Sequence, residues 1–214
     1  MRLTGRRESN NIEDRRGKSI TNIAGIGGIG GVIIIVLITL LSGGDMGDIV
    51  NNVFQQEMQG QVEKSSERNQ KAFTEEENKL ANFSKQILAG TEDVWSEQFQ
   101  KHGMHYKYPT LVLYTGSVET SCGNGSAAMG PFYCSVDQKL YLDLSFFTSM
   151  RRELGIQAKG DLDFAYAYVI AHEVGHHVEY LRGILSKCHT KMAQVDKINA
   201  NKLSVKLELL ADYY

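Results

Sequence analysis

The clearest pattern along the chain is an uncharged apolar segment near its start. No charged residue occurs in residues 19–44, and residues 20–41 are mostly Ile, Val, Leu and Gly. A helix over 20–41 spans about 33 Å, which is enough to cross the hydrocarbon core of a bilayer. The pattern predicts one transmembrane helix over residues 19–44, which acts as a signal-anchor. A cleaved signal peptide is the alternative, although this apolar run is longer than the usual apolar core of such a peptide.

The charges on either side of this segment predict its orientation. Residues 1–18 carry six basic and three acidic side chains, whereas Asp45 and Asp48 follow the segment. Because basic flanks favour the cytoplasm, the sequence predicts a cytoplasmic basic tail over 1–18 in a single-pass protein of the cell membrane. The rest of the chain is then extracytoplasmic, in the periplasm or on the cell surface. Gly27 and Gly31 match the G-x-x-x-G helix-contact pattern, which is compatible with a homo-oligomer formed through the anchor.

After the apolar segment, the pattern changes to that of a globular domain. Residues 45–71 are rich in Gln, Asn, Glu, Lys and Ser and predict a polar spacer. The domain is expected over residues 72–214. Its first signal is the capping-box sequence Thr74-Glu75-Glu76-Glu77, and apolar residues at helical spacing follow it. Gly90 is expected to interrupt this helix, and Thr91 is expected to start the next one.

The middle of the domain has β-type patterns. Residues 110–115 form a short β-branched run, and residues 139–144 alternate with period two. Helical patterns return from Phe146 and continue to the last segment, residues 201–214. Helices, then a few strands, then helices predict an α+β fold and not a repeating β-α winding.

Composition narrows the classes of function. The chain has 214 residues, of which 42% are hydrophobic and 22% are charged, as in a foldable domain with a modest appendage. Its net charge of -2 provides no overall basic field, so no nucleic-acid partner is expected. Three cysteines are too few for a disulfide scaffold.

The residues suited to catalysis concentrate in one predicted helix, over residues 161–181. It contains His172-Glu173-Val174-Gly175-His176. Helix positions four apart lie on one face, so His172 and His176 can bind one ion while Glu173 lies beside it as a general base. This is the H-E-x-x-H arrangement of zinc peptidases. An amphipathic helix with ordinary surface or core histidines is the alternative.

A third metal ligand is predicted on a later helix. Catalytic zinc takes three protein ligands and keeps one open position. Glu208 can supply a carboxylate oxygen, and Asp212 lies one turn further along the same helix. Asp212 is expected to accept the free N–H of a ligand histidine and so to fix its tautomer. A solvated helix face is the alternative interpretation of these two acidic residues.

These motifs together resemble the bacterial neutral zinc metallopeptidase family, and the resemblance spans almost the whole chain. Besides the glycine- and isoleucine-rich anchor, the shared segments are Gly5-Arg6-Arg7, Glu13-Asp14-Arg15-Arg16, Thr91-Glu92-Asp93-Val94-Trp95, Ser121-Cys122-Gly123, Gly130-Pro131-Phe132-Tyr133-Cys134, Tyr141-Leu142-Asp143-Leu144-Ser145-Phe146-Phe147, Tyr168-Val169-Ile170-Ala171-His172-Glu173-Val174-Gly175-His176-His177, and Leu207-Glu208-x-x-Ala211-Asp212.

The resemblance implies a zincin-like domain that holds one Zn2+ ion. His172, His176 and Glu208 would be the ligands and Glu173 the catalytic base of a membrane-anchored endopeptidase that acts on peptide or protein substrates. Family members continue well past the segment that ends at Asp212, so the domain is expected to be incomplete at its C-terminus. A catalytically inactive, membrane-tethered binding module of the same fold is the alternative function.

Three further expectations concern the surroundings of this site. In an oxidising compartment, Cys122 and Cys134 are expected to form a disulfide, with Cys188 left unpaired; free thiols or a second metal site that includes His102 or His189 are the alternatives. By analogy with zincins, residues 139–144 are expected to be the strand on which a substrate aligns. His177 is expected on the helix surface or next to the metal ligands.

Overall fold

The computed structural model describes Leu3 and residues 5–17, 73–153 and 162–214. The predicted transmembrane helix, residues 19–44, and the predicted spacer, residues 45–71, lie outside these ranges. Within the described ranges, no helix has both the length and the apolar character needed to span a bilayer.

The strands form a mixed four-stranded sheet and a separate hairpin. They are β1 (Ile12–Asp14), β2 (Thr110–Tyr114), β3 (Ser117–Thr120), β4 (Gly123–Ser126), β5 (Phe132–Cys134) and β6 (Lys139–Asp143). The sheet order is β1-β2-β6-β5, in which β1, β2 and β6 run parallel and β5 runs antiparallel to β6. The hairpin consists of β3 and β4. The predicted α+β class is therefore confirmed.

Five helices accompany the strands in the described part of the chain. They are α1 (Glu75–Lys101), α2 (Ser145–Glu153), α3 (Asp163–Leu181), α4 (Ile184–Met192) and α5 (Lys197–Tyr213). Leucines at alternate positions of β2 and β6, such as Leu111 and Leu140, belong to the main core with Leu88 of α1 and Val174 of α3. The residues between them, such as Val112, pack on the opposite face of the sheet.

Helix α1 is continuous through Gly90, which corrects the expected break. Its start is as predicted, because the Thr74 side chain accepts from the Glu77 amide while the Glu77 carboxylate accepts from the Thr74 amide. Thr91 does not cap a new helix, since its hydroxyl donates to the Leu88 carbonyl within the same helix. A glycine inside a helix costs only about 1 kcal/mol, and the burial of neighbours such as Leu88 outweighs that cost.

The N-terminal segment is part of the domain, so the boundary differs from the predicted tail over residues 1–18. Strand β1 pairs with β2 in parallel register, with Ile12 opposite Leu111 and Asp14 opposite Leu113. A three-residue strand with two acidic side chains has no apolar alternation that a sequence pattern could reveal.

The substrate-aligning strand expected over residues 139–144 is not at the sheet edge. That segment is β6, which lies between β2 and β5, whereas β5 forms the edge. The disulfide between Cys122 and Cys134 is present and ties β5 to the loop after β3. Cys188 is free, in agreement with the sequence analysis.

Candidate metal centre

Helix α3 carries its polar residues into the protein interior. Residues such as Val174 and Val178 are fully buried, so the helix is surrounded by other elements and is apolar on several sides. His172, Glu173 and His176 share this environment, with 5%, 2% and 8% of their surfaces exposed. Buried polar side chains persist only where they are paired, neutralised or bound to a metal.

The backbones of helices α5 and α3 are in direct contact. A Cβ atom on Gly175 would lie 2.5 Å from the Ala211 carbonyl oxygen and 2.9 Å from the Ala211 Cα. Leu207 and Ala211 are buried in this contact. Glu208 lies three residues before Ala211 and four before Asp212, so these residues are neighbours on one side of α5, and both carboxylates contact His172 of α3.

The three predicted ligands converge at one point. One ligand atom from each of His172, His176 and Glu208 can be chosen so that all lie within 4.8 Å of one another. The Glu208 Oε2 atom is 3.3 Å from His172 Nε2 and 3.5 Å from His176 Nε2. The Glu208 side chain is 18% exposed, so the cluster of three ligands is open to solvent at Glu208.

The residues at this point fit a zinc ion. Two histidines and one glutamate are a ligand set of catalytic zinc sites. Among the described residues, His172 Nε2 and both carboxylate oxygens of Glu173 are buried without a hydrogen-bond partner. Buried polar atoms of this kind are rare unless an ion or water satisfies them. The unpartnered His172 Nε2 is 3.3 Å from Glu208 Oε2, and the charges of His172, His176 and Glu208 act on the Glu173 carboxylate.

A carboxylate fixes each ligand histidine through its other ring nitrogen. His172 Nδ1 donates to Asp212 Oδ1 at 2.7 Å, and His176 Nδ1 donates to Glu179 Oε2 at 2.9 Å. A proton on Nδ1 leaves the Nε2 lone pair free for a metal. Asp212 therefore lies where the sequence analysis expects it.

Glu179 is a site residue that the sequence analysis missed. It lies one turn after His176 on the same helix and is completely buried. Its spacing of three residues from His176 is the only local signal, and most acidic residues at that spacing face solvent. Burial of this position depends on the elements that cover α3, which helical periodicity does not reveal.

The charges of this cluster shift its pKa values strongly. Burial lowers the pKa of His176, but the hydrogen bonds to Glu179 and Glu208 outweigh burial and raise it to about 10. Burial raises the pKa of Glu208, but the two histidines lower it to about 2. The pKa of His172 is also raised, because Glu208 and Glu173 outweigh the effect of burial. Without a metal ion, a protonated His176 therefore pairs with an ionised Glu208.

The third histidine of the motif has a structural role, and its burial excludes the helix surface, the first of its two expected positions. His177 is fully buried; its Nε2 donates to the Lys107 carbonyl at 2.7 Å, and its Nδ1 accepts from the Tyr133 hydroxyl at 2.9 Å. Burial lowers the pKa of His177 to about 4, so its ring is neutral. The bond to Tyr133 ties edge strand β5 to α3, and the bond to Lys107 ties the segment before β2 to the same helix.

Comparison with known proteins agrees with this geometry. The sequence profile of the family described as "Putative neutral zinc metallopeptidase" matches residues 1–214. The chain belongs to this family. The uncharacterized protein YpfJ of Escherichia coli K12 is 41% identical over 218 residues, which cover 100% of this chain and 73% of that protein. The uncharacterized protein Rv2575 of Mycobacterium tuberculosis is 40% identical over 109 residues, which cover 51% of this chain and 34% of that protein. No solved structure shows a significant match.

This member of the family contains one group of His, Cys, Asp and Glu residues with metal-binding geometry in the part of the chain that the structure describes. His102 and His189 are described and do not belong to it. Cys122 and Cys134 are joined to each other, which excludes the alternative in which they bind a second metal.

The helix contact at Gly175 predicts the effect of adding a single methyl group. Gly175→Ala would push the α5 backbone away from α3, because Ala211 occupies the space that the Cβ needs. We expect a loss of about 1–3 kcal/mol in the free energy of unfolding, together with a zinc affinity at least tenfold weaker, since Glu208 moves with α5. Urea unfolding and zinc titration measure both quantities.

The matched control for this substitution is Gly90→Ala in α1. A Cβ on Gly90 meets no atom within 4 Å, so this variant is expected to gain about 0.5–1 kcal/mol and to bind zinc normally. Unchanged stability and zinc affinity in Gly175→Ala would contradict the close contact.

The pKa values of the cluster predict how the metal-free protein responds to pH. The raised pKa of His176 stabilises the fold fully below about 6.5, its unfolded value, and this contribution disappears as pH rises through about 10. Glu208 contributes above its unfolded pKa of 4.5 and loses its contribution as pH falls through about 2. The Tm of the chelated protein should therefore fall by on the order of 5 °C between about pH 6.5 and pH 9.5.

Two comparisons test the origin of this fall. Zinc should reduce it, because the ion replaces the proton between the histidines and Glu208. The variant His176→Gln should also show a smaller fall. An equally large fall in His176→Gln would assign the pH dependence to other groups.

Proposed function

We propose that this chain is a zinc-dependent endopeptidase that is tethered to the cell membrane. The observation that carries the proposal is the convergence of His172, His176 and Glu208 around one point, with the buried carboxylate of Glu173 next to it. A structural zinc site would use four protein ligands and would have no need of an unpartnered carboxylate beside it.

Glu173 has the environment of a general base. Burial raises the pKa of its carboxyl, and the charges of His172 and His176 offset only part of that effect. When bound, a zinc ion at such a site supplies a Lewis acid that polarises the scissile carbonyl and makes water more acidic. Glu173 accepts the proton of the attacking water at a carboxylate oxygen and then donates it to the nitrogen of the leaving amine.

The edge strand β5 supports an extended peptide as the substrate. Its outer side has no neighbouring strand among the described residues, whereas its inner side pairs with β6. The Tyr133 backbone amide lies close enough to Glu173 to favour the charged form of that carboxylate, so β5 passes beside the proposed base. A substrate chain that adds to this edge would place its backbone next to Glu173.

The location of the catalytic domain is also part of the proposal. The disulfide between Cys122 and Cys134 is typical of an oxidising compartment, which favours the extracytoplasmic side. The apolar segment over residues 19–44 would provide the tether, since a long uncharged apolar run favours the hydrocarbon core of a bilayer over water.

The substitution Glu173→Gln tests the proposed base while it preserves the shape of the side chain. We expect peptide hydrolysis to fall by about 10²–10⁴-fold, because the amide cannot accept the proton from water. Zinc content should stay close to that of the parent chain, since Glu173 is not one of the three ligands. Elemental analysis and hydrolysis of a fluorogenic peptide library, with and without a chelator, measure the two effects.

The control is Glu119→Gln on the exposed side of β3, which should leave both zinc content and activity unchanged. Full activity in Glu173→Gln would remove the residue from the mechanism. A parent chain that binds zinc and hydrolyses none of the peptides would instead support the inactive binding module.

A further inference from the structure

The segment that precedes the predicted membrane helix is built into the main sheet. Leu111 of β2 donates its amide to the Asn11 carbonyl at 2.9 Å, and Arg15 donates its amide to the Leu113 carbonyl at 2.8 Å. These bonds flank the parallel pairing of β1 with β2. Residues 11–15 therefore cover the edge that β2 would otherwise expose.

A buried carboxylate on α1 depends on the same segment. Glu92 is 1% exposed, and it accepts hydrogen bonds from Arg7 Nη1 at 2.8 Å and Asn11 Nδ2 at 2.8 Å. The Ser9 hydroxyl donates at 2.5 Å to Glu92 Oε1, the oxygen that also accepts from Asn11, and Ser9 is itself buried. Removal of the segment would leave a buried charge without partners, which is strongly destabilising. The segment is thus a component of the domain and not a separate tail.

Two arginines of this segment contact residues of the domain. Arg7 pairs with Glu92 and with Asp93, and the Arg16 side chain, only 6% exposed, lies 4.1 Å from the centre of the Phe73 ring. These arginines contribute to the charge bias that predicts a cytoplasmic N-terminus. Their contacts give a second reason for the presence of positive charge here, one that is independent of the membrane.

The two ends of the intervening segment meet at one place. A Cβ on Gly17 would lie 3.6 Å from the Phe73 ring, and Arg16 Nη1 donates to the Glu77 carbonyl at 3.3 Å. Residues 17 and 73 are therefore in contact, although residues 18–72 separate them in sequence. Two points in contact cannot lie on opposite sides of a bilayer whose hydrocarbon core is about 30 Å thick.

We propose that residues 5–17 lie on the same side of the membrane as the metal centre, because they pair within the sheet of the same domain and meet Phe73 at its other flank. This topology replaces the single crossing with a cytoplasmic N-terminus that the charge bias predicts. It rests on the proposed membrane tether and does not depend on the peptidase activity.

Cysteine labelling of the full chain in cells tests the topology. A Cys188→Ser background leaves no free thiol, and Glu8→Cys and Glu119→Cys each add one exposed thiol, on the N-terminal segment and on β3. Both should react with a membrane-impermeant maleimide to the same extent, before and after the membrane is permeabilised. Labelling of one thiol in intact spheroplasts and of the other only after permeabilisation would overturn the proposal.

The same measurement separates this proposal from the location given above. If both thiols are protected until permeabilisation, the shared side is supported, whereas the extracytoplasmic location is refuted. If both react in intact spheroplasts, the shared side and the extracytoplasmic location are supported together.

Charge reversal tests whether the N-terminal segment is docked in solution. Glu13 of β1 accepts a hydrogen bond from Lys139 Nζ of β6 at 2.5 Å. In the full chain in detergent, Glu13→Lys should lower the Tm by about 3–6 °C, and the added change Lys139→Glu should restore at least half of the loss. The exposed Glu8→Lys serves as the control and should leave the Tm within 1 °C, or about the error of the measurement.

If Glu13→Lys lowers the Tm and the added change Lys139→Glu restores it, docking is supported. Only side chains in contact compensate each other's charge reversal in this way. An unchanged Tm in Glu13→Lys, or a further drop in the double variant, would overturn the docked arrangement and with it the shared side.

Discussion

The backbone contact between α3 and α5 is the constraint on which the candidate site depends. Glu208 reaches the two histidines only because Gly175 lets the Ala211 backbone approach to a distance that any side chain would prevent. Gly175 lies between His172 and His176 in the sequence. The same turn of α3 that presents the two histidines therefore also allows the close approach of α5, which contains Glu208. The same contact brings Asp212 to His172 Nδ1, at 2.7 Å. Helix packing and the geometry of the candidate metal centre therefore depend on the same contact.

Electrostatics makes the same cluster sensitive to the presence of an ion. Glu173, Glu179 and both histidines are buried, and buried charges are costly unless others compensate them. Burial lowers the pKa of His176, but its hydrogen bonds to Glu179 and Glu208 raise it to about 10, and the pKa of His172 is also raised. A divalent cation would balance the charge of Glu208 in place of a proton and would satisfy His172 Nε2 as well. An ion therefore suits this cluster, and the buried carboxylate of Glu173 lies next to it.

Local patterns predict local features of this protein and miss those that depend on long-range packing. The spacing of His172 and His176, the capping box at Thr74 and strands β2 and β6 could be predicted, since a few neighbouring residues define each of them. Glu208 could be predicted as a candidate because catalytic zinc needs a third ligand, but no periodicity links it to α3, so a solvated helix face stayed open as the alternative. Strands β1 and β5 have three residues each, too few for an alternation to be recognised. Gly90 predicts a break because propensity is local, whereas the packing of Leu88 that keeps α1 intact is not.

The N-terminal segment shows why a charge count alone is a weak guide to topology. The rule that places basic residues in the cytoplasm treats them as free flanking charges. Arg7 instead satisfies the buried Glu92, and Arg16 is covered by Phe73, so the fold itself requires positive charge at these positions. A disulfide in the same domain is typical of an oxidising compartment, and β1 pairs within the sheet of that domain. Because β1 and β2 are parallel neighbours that are distant in sequence, their pairing is a long-range contact, which a count of flanking charges does not take into account.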